Sequence, residues 1–263
     1  KTYPLDSHLE EQKGEFVLKP EEYDIMFGVE DRLWWYEGLR AVLDLFLERH
    51  VGNQLGKDMP VLDVGCGTGA TLAWLSRRVS PVGIDFSRQA IHLCRKRGLT
   101  QTASASADSL PFQDASFDLA ISCDVLCHSS IRDERQPLRE LHRVLKPGGK
   151  LLLNLPAYQW LRSSHDRHVQ LDRRYTKTGV YGLLRACSLE PLSGTYWNTF
   201  LFPPIAFVRL WRKAFPPPAS DLGDVPGDFV NRTFARVLAA ERSVLRFLPL
   251  PFGLSYFVVA KRA

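Results

Sequence analysis

The stretch VLDVGCGTG, at residues 61–69, restricts the possible folds more than any other part of the chain. A short apolar run, 61–64, leads into three glycines within five positions, and residues 68–78 then have a helical pattern. We therefore predict a buried strand that turns directly into a helix. Glycines permit the tight turn and let a ligand lie against the backbone. The exposed N–H groups at the helix start favour an anionic or hydrogen-bond-accepting group.

Strand and helix patterns alternate after this turn. Strands are predicted at 61–64, 82–85, 103–106, 117–122 and 150–155, and helices at 68–78, 87–97 and 133–145, the last ended by Pro147-Gly148-Gly149. Residues 20–50 have helical periodicity, with Leu39, Val42, Leu43, Phe46 and Leu47 on one face. This alternation is typical of a parallel sheet with helices on both faces, which binds ligands at the carboxyl ends of its strands.

Length and composition exclude several classes of protein. The 263 residues, 45% of them hydrophobic, suit one large globular domain or one domain with an insertion. The chain has no uncharged apolar stretch of about 18 residues, so no membrane-spanning helix is predicted. The polar start, KTYPLDSHLEEQKGE, does not look like a signal peptide. Five cysteines without a C-x-x-C spacing favour neither a disulfide framework nor a zinc site, so we expect a reducing, cytoplasmic location.

The net charge of +5 is unevenly distributed. Residues 1–150 hold 19 basic and 22 acidic side chains, whereas residues 151–263 hold 15 and 7. The basic half suits an anionic substrate, a membrane surface or nucleic acid, or it is only a solvated surface. The chain has no aromatic-interleaved basic motif and no helix-turn-helix pattern, so we predict no nucleic-acid partner.

The glycine turn alone does not identify the ligand. Gly65, Gly67 and Ala70 also satisfy the dinucleotide pattern G-x-G-x-x-A. Asp85 ends the next predicted strand, 20 residues after Gly65, where a carboxylate can accept hydrogen bonds from both ribose hydroxyls. NAD and any other adenosine ligand fit these residues equally well.

Four further features narrow the choice. Asp63 lies inside the first strand, where a dinucleotide-binding strand is usually apolar throughout. The other three are ADSLPFQDASFDLAIS at 107–122, RELHRVLKPGGKLLLNLP at 139–156 and the late strand pattern LSYFVVAKR at 254–262. Together they closely resemble the class I S-adenosylmethionine-dependent methyltransferases, most of all the broad subgroup that includes the quinone-biosynthesis enzymes. The resemblance is close over residues 58–160 and looser in the flanks.

The resemblance implies a fold and a domain organisation. It implies a Rossmann-like, seven-stranded, mostly parallel sheet with helices on both faces, an antiparallel last strand and additional helical cap segments. We assign residues 1–57 to an N-terminal helical cap, 58–192 and 254–263 to the methyltransferase core, and 193–253 to a helical insertion over the acceptor site.

The resemblance also implies a cofactor, S-adenosylmethionine, and residues that hold it. Asp63 would orient the loop or reach the cofactor's amino group through water, unless it only caps loop N–H groups. Asp85 would hold the ribose hydroxyls, Phe86 would pack on the adenine, and Asp108 would accept from the adenine amino group. The full predicted cofactor set is Asp63, Gly65, Cys66, Gly67, Gly69, Asp85, Phe86, Asp108, Ser109, Leu110 and Cys123.

Candidate catalytic residues lie in two stretches. In DVLCHSS, Cys127 replaces the glutamate of the family's Glu-His pair, and His128 is either a base or a packing residue. The loop WLRSSHDRHVQLDRRYT at 160–176 offers His165 as a base with Asp166 as its orienting partner. Arg173 and Arg174 suit a phosphate or carboxylate on the acceptor, or they only form salt bridges within the loop. We predict no metal site.

Aromatic segments on both sides of the predicted core suggest a bulky acceptor. The segment 193–253 contains two Arg-rich amphipathic stretches, which would cap the site, rest on a membrane or pair two subunits. LWWYEGLR, at 33–40, would form the opposite wall or fill the core. The predicted acceptor-binding residues are Trp35, Tyr36, Tyr158, His168, Arg174, Tyr175, Trp197 and Phe200.

The sequence therefore predicts an S-adenosylmethionine-dependent methyltransferase that acts on a small, bulky, hydrophobic acceptor, such as a natural product or lipid-like metabolite. One alternative is a nicotinamide-dependent oxidoreductase, which Asp63 and LPFQDASFD oppose. The other is a non-catalytic cofactor-binding protein.

Overall fold

The computed structural model describes residues 20–163, 166, 169–215 and 226–263. Within these residues one sheet has seven strands in the order β3-β2-β1-β4-β5-β7-β6. Only β7 runs antiparallel to its neighbours, β5 and β6. The strands are β1 Pro60–Val64, β2 Ser80–Asp85, β3 Thr102–Ser104, β4 Phe117–Cys123, β5 Leu145–Pro156, β6 Leu189–Trp197 and β7 Ser255–Arg262. The predicted fold class, with its antiparallel last strand, is confirmed.

The helices lie on both faces of this sheet. They are α1 Pro20–Val29, α2 Trp34–His50, α3 Ala70–Leu75, α4 Arg88–Lys96, α5 Arg135–Val144, α6 Lys177–Ala186, α7 Phe202–Ala214 and α8 Asp228–Leu245. Two short 3-10 turns occupy Gly52–Gln54 and Gln159–Leu161. None of the helices in the described ranges is long and apolar enough to cross a membrane.

Local chemistry explains where several elements begin. The Ser87 hydroxyl accepts a hydrogen bond from the Ala90 N–H and caps α4, as the sequence predicted. The predicted helix at 68–78 is shorter than expected, because Gly69 is left-handed, with φ 93°, and α3 begins only after it. Strand β5 begins five residues before its predicted start of 150, because Leu145 already pairs with Phe117. The Pro-Gly-Gly sequence then lies in an irregularity of the β4–β5 pairing.

The core has two layers because the buried side chains of β5 alternate between the faces of the sheet. Leu151 and Leu153 belong to the cluster that includes Leu138 of α5 and Leu184 of α6. Leu152 belongs to the cluster on the opposite face, which is filled mainly by α2 and α8. The five residues predicted to share one face of α2 are all buried.

Helix α8 covers the sheet together with α2. Leu238 of α8 packs in the same cluster as Leu39 and Trp197, and Arg242 forms an ion pair with Asp44 of α2 at 2.8 Å. The predicted boundary at residue 193 falls within β6, so the helical segment outside the sheet begins after Trp197. The division into cap, core and insertion itself stays a prediction.

Candidate cofactor and acceptor site

A cavity of about 1390 Å³ lies at the carboxyl ends of β1, β2 and β4. One end is formed by the glycine turn after β1, together with Asp85 and Phe86 after β2. The other end reaches Arg174 and Arg209, beyond the fifth strand. Single ligand pockets usually measure about 300–1,000 Å³, so this cavity has room for two ligands side by side.

The glycine turn has the conformation that the sequence predicted. Gly65 has φ 77° and donates its N–H to the Ile84 oxygen at 2.8 Å. A Cβ at Gly65 would lie 2.1 Å from Cγ2 of Val125, so no side chain fits there. Gly67 is also left-handed, with φ 55°, but a Cβ there would meet only the end of the Met26 side chain, at 3.6 Å. Gly67 therefore leaves open space on the cavity side of the backbone.

Asp85 fixes the turn from the neighbouring strand. Its Oδ2 accepts from the Gly67 N–H and its Oδ1 from the Ser87 N–H, both at 2.9 Å. Burial raises the pKa of this carboxyl, and the two N–H donors partly offset that effect. Each carboxylate oxygen has two lone pairs, so both retain one for hydroxyl donors of a ligand in the cavity.

Asp63 provides a second carboxylate beneath the turn. It is only 3% exposed, and its Oδ2 has no hydrogen-bond partner in the described part of the chain. Burial raises its pKa to about 7, with smaller contributions from Asp85 and Glu30. A buried carboxylate oxygen without a donor is costly unless a ligand or water supplies one. These residues thus fit S-adenosylmethionine, which carries hydroxyl groups and an ammonium group.

The other predicted cofactor residues divide into two groups. Cys66, Phe86, Asp108 and Cys123 line the cavity with the residues above. Gly69, Ser109 and Leu110 do not line it. Gly69 precedes α3, Ser109 is exposed, and Leu110 is buried and donates its N–H to Glu140 at 2.7 Å.

An ion-pair cluster that the sequence did not indicate joins α1 to the glycine turn. Arg97, just after α4, donates from Nη2 to Glu30 Oε1 at 2.7 Å and from Nε to the Thr68 oxygen at 2.9 Å. Its guanidinium also lies 4.4 Å from the centre of the Phe27 ring. Glu30 is 4% exposed and accepts from the Thr68 hydroxyl as well. The cluster therefore holds α1 over the cofactor end of the cavity.

At the acceptor end, Asp166 forms an ion pair with Arg174. Arg174 donates to it twice, from Nε at 2.8 Å and from Nη2 at 2.7 Å, and Arg209 lies 3.5 Å away. Burial opposes ionisation, but Arg174 prevails and lowers the pKa of Asp166. Burial lowers the pKa of Arg209 to about 10. His165 and His168 lie outside the described residues, so their predicted roles stay predictions.

His128 lines the cavity and its Nδ1 lies 2.9 Å from the Ser130 hydroxyl. Burial lowers the pKa of His128, so its imidazole is neutral near pH 7. Trp35, Tyr36 and Arg174 also line the cavity, as predicted.

Four predicted acceptor residues do not reach the cavity wall. Trp197 is 1% exposed, and its Nε1 donates to Asn154 Oδ1 at 2.7 Å. The Tyr175 hydroxyl donates to the Leu126 oxygen at 2.9 Å. Tyr158 stacks on Tyr196 with ring centres 5.2 Å apart. Phe200 is half exposed on the outer side. Trp197 ends β6 and packs in the core cluster with residues of α2 and α8, which its residue type alone does not reveal.

Asp124 and Asn198 also line the cavity, although neither was in the predicted set of site residues. Asp124 directly follows β4 in a left-handed conformation, with φ 57°, and its Oδ2 accepts from Asn154 Nδ2 at 2.9 Å. Burial raises the pKa of Asp124 to about 7. Asn198 follows β6 with φ 60°, is fully buried, and neither its side-chain nitrogen nor its oxygen has a partner among the described residues. The position of each after a strand was the only available signal, and it did not specify a role.

Comparisons with known proteins agree with this geometry. A family described as "Methyltransferase domain" matches residues 62–153. The chain is 40% identical over 102 residues to the methyltransferase GfsG of Streptomyces halstedii, an alignment that covers 35% of this chain and 36% of that protein. It is 34% identical over 111 residues to a probable tRNA methyltransferase 9B of Homo sapiens, covering 42% and 23%.

The crystal structure of the cyclase SpnF is similar over 85% of this chain and 81% of that one, with a TM-score of 0.56 and 25% identity. The alignments to the two curated relatives span only 36% and 23% of the length of those relatives. Residues 62–153 of the chain thus match a methyltransferase-domain family, and the Rossmann-like sheet agrees with that match.

Proposed function

We propose that this protein transfers a methyl group from S-adenosylmethionine to a bulky, largely apolar small molecule. The observation that carries the proposal is the single cavity of about 1390 Å³, which runs from the glycine turn to an aromatic and aliphatic wall. That wall includes Trp34, Trp35, Ile205 and Leu254. The proposal includes membership of the quinone-biosynthesis subgroup. It also includes an acceptor that is a natural product or a lipid-like metabolite.

S-adenosylmethionine supplies an activated methyl group on a sulfonium centre. The protein's part is to hold two ligands in line and to exclude water, and such positioning contributes about 7–11 kcal/mol. Asp63, Asp85 and the open face of Gly67 hold the cofactor end. Helix α1 covers it, through the Arg97 cluster.

A proton acceptor is available if the acceptor atom is a hydroxyl. Asp124 lines the cavity at the end of β4, and the amide of Asn154 holds one of its oxygens at 2.9 Å. Its pKa of about 7 suits a general base at neutral pH, a role worth about 10²–10⁴ in rate. Asp124 replaces the predicted His165–Asp166 pair as the preferred candidate, because Arg174 occupies Asp166.

The first experiment measures cofactor binding by calorimetric titration with S-adenosylmethionine, S-adenosylhomocysteine and NADH. We expect the two sulfur ligands to bind and NADH to give no heat. Binding of NADH alone would support the oxidoreductase alternative and refute the proposal.

A second experiment tests turnover, because binding alone would also suit a cofactor-binding protein without activity. Apolar phenols, acids and terpenoids are incubated with the protein and S-adenosylmethionine, and S-adenosylhomocysteine formation is measured. Trp34→Ala is expected to weaken acceptor affinity and to leave cofactor affinity unchanged, since Trp34 lines the cavity from α2. Equal acceptor affinity in wild type and Trp34→Ala would argue against the proposed acceptor wall.

A further inference from the structure

Arg209 of α7 places a positive charge at the acceptor end of the cavity. Its side chain is 23% exposed, and it lines the cavity together with Ile205 of the same helix. Burial lowers the pKa of Arg209 to about 10, which still leaves the guanidinium charged at neutral pH. A largely buried cation is costly unless an anion pairs with it. The anions around Arg209 therefore decide what this end of the cavity can bind.

Asp166 balances only one of the two guanidiniums beside it. Arg174 donates from Nε and Nη2 to both oxygens of Asp166, and from Nη1 to the Ala157 oxygen at 3.0 Å. All three nitrogens of Arg174 are thus in use, and its side chain is only 4% exposed. Arg209 reaches Asp166 with Nη1 alone, at 3.5 Å. The described part of this cluster therefore holds one positive charge in excess.

Most of the hydrogen-bond donors of Arg209 are unused. Its Nη1 also donates to the Leu161 oxygen at 3.2 Å, whereas Nε and Nη2 have no partner among the described residues. Neither of these two nitrogens belongs to the fully buried unpaired atoms, so both stay accessible. A guanidinium presents its N–H groups as a planar fork that matches a carboxylate. The free donors and the excess charge thus call for the same kind of ligand group.

The two guanidiniums lie away from the glycine turn and near the proposed base. Ala157, which accepts from Arg174, directly follows β5, and β5 lies two strand spacings, about 10 Å, from β1 and its turn. Arg174 also acts on Asp124, where it lowers the pKa against the larger effect of burial. Ile205 and Leu254 line the cavity and belong to one apolar cluster. The excess charge therefore lies beside an apolar acceptor subsite.

We infer that the methyl acceptor is an apolar carboxylic acid, and that Arg209 pairs with its carboxylate. The Arg174–Asp166 pair braces this subsite, and Arg209 selects an anionic acceptor over a neutral one of the same shape. One excess charge matches a carboxylate better than a phosphate monoester, which carries about two negative charges at neutral pH. The identity of this ligand as the methyl acceptor rests on the proposed function, whereas the binding of a carboxylate does not.

Calorimetric titration of the full chain, saturated with S-adenosylhomocysteine at neutral pH, tests the subsite. The probes are decanoate, naphthoate and farnesoate, each compared with its primary amide. The wild type is expected to bind at least one carboxylate at least about tenfold more tightly than the matched amide. Arg209→Gln should remove this preference, because it removes the charge. Arg209→Lys keeps the charge without the fork and should retain part of the preference.

Arg236→Gln is the matched control. Arg236 is exposed on α8 and does not line the cavity, so this variant loses the same charge elsewhere and should bind every probe like wild type. Unfolding midpoints that match wild type show that the variants fold. The readout is binding and not turnover, so an absence of methyl transfer would refute the proposed function and leave this subsite standing.

Four results would overturn the inference. In the first, no carboxylate binds, or carboxylates and amides bind wild type equally. In the second, folded Arg209→Gln keeps the preference for the carboxylate. In the third, Arg209→Gln weakens S-adenosylhomocysteine binding at least about tenfold, which would assign Arg209 to the carboxylate of the cofactor. In the fourth, decyl phosphate binds more tightly than decanoate, which would assign the subsite to a phosphate.

Discussion

At the residue scale, Gly65 and Gly67 illustrate two different reasons for a glycine. A methyl group at Gly65 would collide with Val125, whereas one at Gly67 would make only an ordinary contact with the Met26 side chain, at 3.6 Å, beside the cavity. We expect Gly65→Ala to lower the free energy of unfolding by more than about 1 kcal/mol. Gly67→Ala should cost less stability and lower cofactor affinity at least about tenfold. Urea unfolding and calorimetric titration of both variants separate the two effects, and equal losses of stability would contradict this account.

The buried carboxyl of Asp63 gives a pH-dependent prediction. Its folded pKa of about 7 lies above its ordinary 3.8, so the unfolded chain releases this proton first as pH rises. The ligand-free protein therefore loses stability between about pH 4 and 7, on the order of 1–4 kcal/mol, and no more above that range. Asp63→Asn should remove this loss. The unfolding midpoint of the variant should therefore rise relative to that of wild type as the pH increases.

Cofactor affinity should show the opposite dependence on the same group. The ionised carboxylate is a better partner for the ligand's ammonium group, so S-adenosylhomocysteine should bind wild type more tightly at pH 8 than at pH 6. Asp63→Asn should bind about tenfold more weakly at pH 8, with a smaller difference at pH 6. Asp124→Asn is the control, because Asp124 titrates in the same range. If that control alone loses the pH dependence, Asp63 does not cause it.

At the element scale, one glutamate of α8 fixes the turn between β6 and α7. Glu241 is 1% exposed and accepts from three consecutive N–H groups, of Asn198, Thr199 and Phe200, at 2.5, 2.7 and 2.9 Å. Glu241→Ala would leave these donors buried, so we expect a loss of about 3 kcal/mol or more in unfolding free energy. Glu241→Gln retains acceptor oxygen and should lose less. Equal losses in the two variants would show that volume, and not hydrogen bonding, determines the effect.

Helix α1 depends on the Arg97 cluster in the same way. Arg97→Lys keeps the charge but cannot reach Glu30, Thr68 and Phe27 at once. We expect a weaker cofactor affinity, by about tenfold, with a faster dissociation rate in stopped-flow measurements. Arg95→Lys is the control, since α4 places Arg95 in an exposed position. A normal dissociation rate for Arg97→Lys would mean that α1 does not retain the cofactor.

At the scale of the whole molecule, cofactor binding and folding should be linked. A ligand at 100 times its dissociation constant stabilises the folded state by about 2.7 kcal/mol, which corresponds to about 5–10 °C in a protein of this size. S-adenosylhomocysteine should therefore raise the unfolding midpoint of the whole chain, and NADH should not. Gly67→Ala should reduce the shift, whereas Glu241→Ala should lower both midpoints and retain it. If the ligand binds and the unfolding midpoint of the whole chain stays the same, binding is not linked to global folding and this prediction is wrong.

The sequence by itself determined the sheet, the glycine turn and the cofactor end of the cavity. These features depend on neighbours along the chain: Asp63, Gly65 and Gly67 act through one strand and its turn, and Asp85 ends the next strand. The strand and turn patterns are local, and parallel strands necessarily bring their carboxyl ends to one edge. The family resemblance then supplied the number of strands and the antiparallel β7.

Only the tertiary structure determined which residues form the acceptor end of the cavity. Residues far apart in the sequence meet there, such as Asp166, Arg174 and Arg209. Whether an aromatic ring faces the cavity, the core or solvent depends on packing between elements. For this reason Trp197 lies in the core, Trp35 on the cavity wall and Trp211 on the surface, although all three belong to similar aromatic segments. The type of side chain determines how much free energy its burial contributes. The packing of the helices and strands determines which surface buries it.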